Sequence, residues 1–508
     1  MGFVMDGLEA EDYDRTYGDR QLVGRIARYF AGQGPTMALV TAVIVANALL
    51  DVALPVALAR GVDGLDAASR GLSGRAVAVL VGAILVAGAL SWVCNYLRQW
   101  RTARAVGDVV LRLRVDAFDA VLARDLSFYD EHPSGKIVSR VTSDTEDFAT
   151  VVTLTLSLLS QGLLVVLMAG LLLARNWRLA LLALAIAPLI VAVALGFRAL
   201  ARTAIRRSQR SLARVNANVQ EAIAGITVAK TFRRERAMYD EFRGVNAQAY
   251  HVSLRTGLVF SALFPVLLVV AGLGTTVVVY FGGRWVLAGA VSAGEWYLFV
   301  LSIGVFWFPL TSIASFWSQF QQGLGASERV FALVDASPRV VQTGREPVGR
   351  LRGRIEFRGV TFAYGAQEQV LERFDLAIEA GETLALVGHT GAGKSTLGKL
   401  VARFYEYQGG ALLVDGRDIR TLDLGEYRRQ LGVVPQTPFL FTGTIAENVR
   451  YARPEASDEE VAAVARRIGG GDWLEALPDG LATEVGEGGR GLSLGQRQLV
   501  ALARVLLQ

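Results

Sequence analysis

Six apolar segments constrain this 508-residue chain more than any other feature. They run roughly 36–59, 76–97, 150–173, 178–200, 256–281 and 296–320. Each approaches or exceeds the ~20 residues an α-helix needs to cross a bilayer. Backbone amides inside a bilayer find no water, so such segments must close their hydrogen bonds within themselves, as helices. Buried helices of soluble proteins are the alternative, but six in one chain make that reading improbable. Composition agrees: 52% of residues are hydrophobic and 19% charged, where an ordinary soluble protein carries about 25% charge.

The connections between segments alternate in length and charge. Arg60, Arg70 and Arg75, offset by Asp63 and Asp66, separate the first two; the third connection, near Arg175 to Arg178, is short; the fifth holds Arg284 alone. The second, about 98–149, is rich in arginine, including Arg98, Arg101, Arg104, Arg112, Arg114 and Arg124. The fourth, about 201–255, is richer still, with Arg202, Arg206, Arg207, Arg210, Arg214 and Lys230 among its cations. Positive charge marks the cytoplasmic side. Both termini and the two long loops are therefore expected in the cytoplasm, and the chain in the plasma membrane as a multi-pass protein. Val109, Leu113, Ala117 and Ala120 keep helical spacing in the first loop, as Val215, Val219, Ala222 and Ile226 do in the second. The membrane helices are thus expected to continue beyond the bilayer, broken once each at Pro133-Ser134-Gly135 and at Gly225. Residues 19–32 set Arg20, Arg25 and Arg28 against Leu22, Ile26, Tyr29 and Phe30, the pattern of an amphipathic helix on the membrane surface.

Several function classes recede. The net charge of +5 invites a nucleic-acid partner, but the arginines cluster beside apolar spans, where they suit an anionic leaflet; no nucleic-acid partner is expected. Cys94 is the one cysteine, so no intrachain disulfide forms. His132, His251 and His389 are scattered and suggest no zinc site. The polar, acidic N-terminus has no signal-peptide pattern.

A second feature supplies the chemistry. Gly388-His389-Thr390-Gly391-Ala392-Gly393-Lys394-Ser395 fits the P-loop pattern, followed by Thr396 and a helical run to Phe404. The apolar run Thr383 to Val387 before it predicts a buried strand. A glycine-rich turn between strand and helix points backbone N–H groups into one concavity that holds phosphate oxygens. Lys394 is assigned to the β- and γ-phosphates of ATP and Ser395 to Mg²⁺. Ahead of this domain, residues 323–350 read as a linker, broken by Pro338, Gly344 and Pro347. From Leu351 on, Ile355, Phe357, Val360 and Phe362 suggest strands in an α/β nucleotide-binding domain.

Six spans, two long inner loops and a P-loop domain together resemble a half-transporter of the ABC exporter type, of the multidrug and lipid-export group. The expected fold is a multi-domain membrane protein. A tail and interfacial elbow helix (1–34) precede an all-α six-helix transmembrane domain with long helical extensions (35–322). The linker (323–350) then leads to an incomplete α/β ABC ATPase domain (351–508). Phe128-Tyr129-Asp130, Ser134-Gly135, Ser139-Arg140 and Asp144 resemble the first coupling-helix region; Glu221, Gly225-Ile226 and Lys230-Thr231-Phe232 resemble the second. The resemblance implies that Tyr364 stacks on adenine and that Gln436 senses Mg²⁺ or the attacking water. Leu492-Ser493-Leu494-Gly495-Gln496 resembles the signature, where the usual form has glycine in place of Leu494. Ser493, Gly495 and Gln496 would then meet ATP held by a second half-transporter subunit, in a homodimer or heterodimer. Thr483 to Gly488 resembles the exporter loop that meets the coupling helices.

In this family an Asp, the adjacent catalytic Glu and a switch His follow the signature helix, and none lies within these residues. The sequence therefore reads as a fragment ending inside the domain, expected to bind ATP weakly at most and not to hydrolyse it. The whole dimer is expected to export amphipathic small molecules, drugs or lipids. Import through the same architecture and a non-hydrolysing partner subunit are the alternatives. For cargo contact, Asp51 in the first span and the aromatics of the sixth, with Trp307 and Trp317 foremost, are the candidates.

Overall fold

The computed structural model describes residues 17–67, 74–365 and 369–508; the acidic start of the chain and Arg70 lie outside the described residues. α-Helices carry the chain as far as Asp335: α1 (Asp19–Tyr29), α2 (Gly34–Ala67), α3 (Gly74–Leu122), α4 (Leu126–Glu131), α5 (Ser134–Arg175), α6 (Trp177–Leu184), α7 (Ile186–Ala224), α8 (Ile226–Thr231), α9 (Glu235–Leu287) and α10 (Ala293–Asp335). Among the described residues, five helical stretches are long and apolar enough to cross a membrane: Ala31–Gly64, Val77–Leu122, Ser134–Arg175, Trp177–Ala224 and Glu235–Leu287. The segment read as a sixth span, 296–320, lies within α10, whose described apolar stretch is Ala293–Val305. At 49 residues for α3 and 53 for α9, a rise of ~1.5 Å per residue makes helices of roughly 75–80 Å. That is more than twice the ~30 Å hydrocarbon core, so these helices do run on past the bilayer.

The breaks have local causes. Asn176 Oδ1 accepts from the Leu179 amide at 3.2 Å and starts α6. The helix is interrupted at Ala185, three residues ahead of Pro188, whose ring removes an amide donor and crowds the Leu184 carbonyl. Proline ahead of α5 and Gly225 between α7 and α8 mark the expected interruptions, but each loop is broken twice rather than once: residues 123–125 also separate α3 from α4, and residues 232–234 separate α8 from α9.

The contacts divide the chain into two compact units. The first comprises residues 1–122 and 135–336; the second comprises 123–134 and 337–508. In the first unit, Met168, Leu172, Leu179, Ala180, Val278 and Phe299 are fully buried where α5, α6, α9 and α10 meet. One face of α3 is buried as its spacing predicts, through Val109, Leu113 and Ala117. The matching face of the second loop is not: Val219 and Ile226 are exposed. α7 packs on α9, and that pair leaves the other side of α7 uncovered. Helix α10 also continues well into the stretch read as a linker. Leu324, Val330, Phe331 and Leu333 are buried at helical spacing, and Arg329 grips Asp144 of α5 through two hydrogen bonds, at 2.9 and 2.6 Å.

In the second unit, β1 (Ile355–Ala363) pairs antiparallel with β2 (Gln369–Ile378) and with β3 (Gly409–Val414), and β4 (Arg417–Asp418) completes the order β2-β1-β3-β4. Phe357, Val360 and Phe362 of β1 are buried against Leu397 and Leu400 of α11 (Lys394–Val401). The remaining elements are α12 (Leu424–Arg428), β5 (Gly443–Thr444), α13 (Ile445–Arg450), α14 (Asp458–Arg467), α15 (Asp472–Glu475), β6 (Glu484–Val485) and α16 (Leu494–Leu507). Here α13, α14 and α16 close around Trp473, Val485 and Val500.

One expectation is corrected. Thr383 to Val387 is neither in a strand nor buried: Leu384 is 41% exposed and Val387 89%. A strand exists through its ladder, and among the described residues no segment pairs with this one. The apolar stretch Gly432 to Pro435 is exposed in the same way.

Candidate functional site

The P-loop folds as its glycines require. Gly391 and Gly393 take positive φ, +89° and +81°, which side-chain-bearing residues rarely adopt. Gly393 also starts α11, and a methyl group there would press on Val370 and Leu371 of β2. The first turn of α11 thus follows directly from the loop, with Ser395 exposed and Thr396 buried. Lys394 Nζ donates to the carbonyls of Gly388 (2.8 Å) and His389 (2.7 Å), which folds its ammonium over the loop. Loop amides, a helix N-terminus and a lysine in this arrangement form a phosphate cradle. These features fit a nucleoside triphosphate, and the exposed Ser395 and Gln436 carry the oxygens that would serve a Mg²⁺ ion.

Tyr364 stands at the end of β1. Its hydroxyl lies 3.1 Å from Thr396 Oγ1, and its ring meets Tyr405 edge-on at 5.0 Å. Lys399 Nζ sits 5.3 Å from the Tyr364 ring centre and 5.2 Å from that of Tyr405, within cation–π range. Tyr405 is aimed by an unusual helix end. Arg403 takes φ +49°, the left-handed position normally given to glycine, and Phe404 N–H bonds back to Lys399 C=O at 2.9 Å. The buried Arg403 side chain holds this turn by donating to the carbonyls of Ile419 (3.2 Å) and Val341 (2.9 Å) and to Glu406.

From there the contacts reach α4, which belongs to the same compact unit. The Tyr405 hydroxyl donates to Asp130. Burial first, and then this hydrogen bond, push the Tyr405 hydroxyl above its ordinary pKa, so it stays a neutral donor. Asp125 caps α4 by accepting from the Ser127 amide at 3.1 Å, while its other oxygen accepts from the amides of Arg339 (2.6 Å) and Val340 (3.0 Å). Arg339 in turn forks onto Glu131 at 2.5 and 2.8 Å. Burial alone would raise the Asp125 pKa; bonds from the Ser127 hydroxyl and the three amides outweigh it and hold the carboxyl below its usual value.

The other sequence-predicted residues fall in three places. Gln436 is exposed, and its carbonyl accepts from Gln498 of α16 at 3.3 Å. Ser493 and Gln496 form a reciprocal cap at the start of α16: Oγ accepts from the Gln496 amide at 3.2 Å, and Gln496 Oε1 from the Ser493 amide at 2.8 Å. The Ser493 hydroxyl proton remains available to an anion. Gly495 and Leu494 are exposed. In the spans, both Asp51 oxygens are engaged, by Asn47 Nδ2 at 2.8 Å and Ser91 Oγ at 3.0 Å, so Asp51 ties α2 to α3. Trp307 and Trp317 sit on α10, and their side chains lie outside the described residues. Sequence reasoning missed Tyr405, Lys399 and Asp125. Only the aromatic pair Phe404-Tyr405 after the P-loop helix hinted at the first.

Residues 37–310 match the family model for the ABC transporter transmembrane region, and residues 371–508 match that for the ABC transporter. The chain belongs to the ABC transporter family. The ATP-dependent lipid A-core flippase of Syntrophus aciditrophicus is 30% identical to it over 84% of this chain and 70% of its own length. A fatty acid ABC transporter ATP-binding/permease protein of Mycobacterium bovis is 34% identical over 81% of this chain and 66% of its own. A multidrug efflux ATP-binding/permease protein from the same species is 33% identical over 95% of this chain and 40% of its own. This ABC transporter is thus a multi-pass membrane protein with an ATP-binding domain, built for ATP-coupled transport.

Proposed function

We propose that the protein is one half of an ABC exporter dimer that moves amphipathic small molecules, drugs or lipids out of the cell. The relatives' names support this cargo range, spanning a lipid A-core flippase, a fatty acid transporter and a multidrug efflux protein. The observation that carries the reading is the unbroken contact path from the P-loop through Thr396, Tyr364 and Tyr405 to Asp130 on α4. Such a path lets nucleotide occupancy bias the position of a helix that joins two membrane spans.

In this reading Lys394 and the amides of Gly388 to Ser395 hold the β- and γ-phosphates, and Tyr364 offers its ring to adenine. Ser395 and Gln436 would hold Mg²⁺, whose charge offsets that building up on the phosphates. Ser493, Gly495 and Gln496 face ATP on a second subunit. The exposed Ile226, Val228 and Phe232 at α8 support docking on that subunit as well. The arginine-rich loops and both termini face the cytoplasm. Trp307 and Trp317 are assigned to the cargo path. Leu494, half exposed where the family usually carries glycine, favours a second reading, a heterodimer in which one composite site does not hydrolyse ATP.

The test is reconstitution of the complete transporter with its partner in liposomes. ATP hydrolysis stimulated by a lipid or drug, with movement of that cargo and loss of both in Lys394→Ala, is the expected result. Hydrolysis that no cargo stimulates, with no cargo moved, would sink the reading.

A further inference from the structure

We propose that the cleft between α1 and α3 binds the headgroup phosphate of an anionic glycerophospholipid. The cleft has a volume of about 530 Å³. Arg28 of α1 and Arg112 of α3 both line it and are exposed, and neither has an ion pair or hydrogen-bond partner among the described residues. The Arg112 guanidinium lies against the turn at Gly32, where even a methyl group would stand 3.3 Å from its nitrogen. Leu111 and Val115 line the same cleft beside Arg112 and are 64% and 58% exposed, so the two guanidinium groups are reached from an open face.

Position decides between a lipid and a soluble anion. Gln33 donates to Asp108 at 3.1 Å, which sets this part of α3 level with the turn where the chain enters its first span. The anion present there at high local concentration is a headgroup. The charges also match. Arg25 lines the cleft too, but it is forked onto Asp335 and adds little net charge. Asp116, held by the Tyr29 hydroxyl at 2.9 Å, subtracts one charge. Two free arginines against one carboxylate leave +1, which suits the single charge of a phosphatidylglycerol. Guanidinium groups recognise phosphate oxygens by paired, charge-assisted hydrogen bonds.

The site is independent of which cargo the transporter moves. It is tested by native mass spectrometry of the complete transporter, titrated with phosphatidylglycerol and, separately, with phosphatidylcholine. Arg28→Gln and Arg112→Gln are each expected to weaken phosphatidylglycerol retention about fivefold and to leave phosphatidylcholine unchanged. Asp116→Asn is expected to strengthen it, a gain that misfolding cannot imitate. Unchanged retention in the double arginine variant, no gain in Asp116→Asn, or equal displacement by millimolar inorganic phosphate would each overturn the proposal.

Discussion

Tyr405 acts through two parts of one side chain. Its ring packs edge-on against Tyr364 beside the P-loop helix, and its hydroxyl reaches Asp130 of α4. Tyr405→Phe keeps the ring and removes about 1 kcal/mol of hydrogen bonding. In the complete transporter it is expected to leave nucleotide affinity unchanged and to reduce cargo-stimulated ATP hydrolysis; a fall in affinity of the same size would reduce Tyr405 to a packing residue. Asp125 gives a pH-dependent counterpart. Its folded pKa lies below the ordinary value of 3.8, so its stabilisation is complete well above that value and is lost as pH falls through the depressed one. Asp125→Asn should therefore lower thermal stability at neutral pH and flatten the acid limb of a melting-temperature profile. An unchanged acid limb would show that the carboxylate carries none of that dependence.

At the scale of elements, helix crossings and missing ladders decide what the pattern alone leaves open. A side chain at Gly323 would collide with Val151 and the carbonyl of Asp147, so α10 and α5 touch backbone to backbone at that point. Gly323→Val is expected to destabilise the protein by roughly 1–3 kcal/mol, the usual range for overpacking, read as a lower melting temperature in detergent. An unaltered melt would mean the crossing is looser than its geometry. The opposite situation holds at Thr383 to Val387. Its composition is that of a strand, yet backbone and both faces stay open, because pairing is a property of two segments. The same logic explains α7: periodicity at Val215, Val219 and Ala222 marks an apolar face, while burial depends on what packs there.

For the molecule as a whole, the arginine asymmetry makes a topological prediction. Cys94 is the one cysteine in these 508 residues, so Cys94→Ser, with any cysteine elsewhere in the complete transporter replaced, gives the background for labelling. Single cysteines at Arg284 and at Lys230 are expected to label with a membrane-impermeant reagent from opposite sides, Arg284 from outside intact cells and Lys230 only after permeabilisation. Labelling of both from one side would refute the orientation.

By itself the sequence determined the helical membrane region, the P-loop and the breaks at Pro133 and Gly225. Each rests on local physics: hydrocarbon length, φ preference, a missing N–H. Only the tertiary structure decided that Asp51 is engaged by α3, that α10 runs on to Asp335, and that Tyr405 joins the nucleotide side to α4. These depend on contacts between residues as many as 275 positions apart, and no spacing along a chain encodes which distant side chain a hydroxyl or carboxylate will meet.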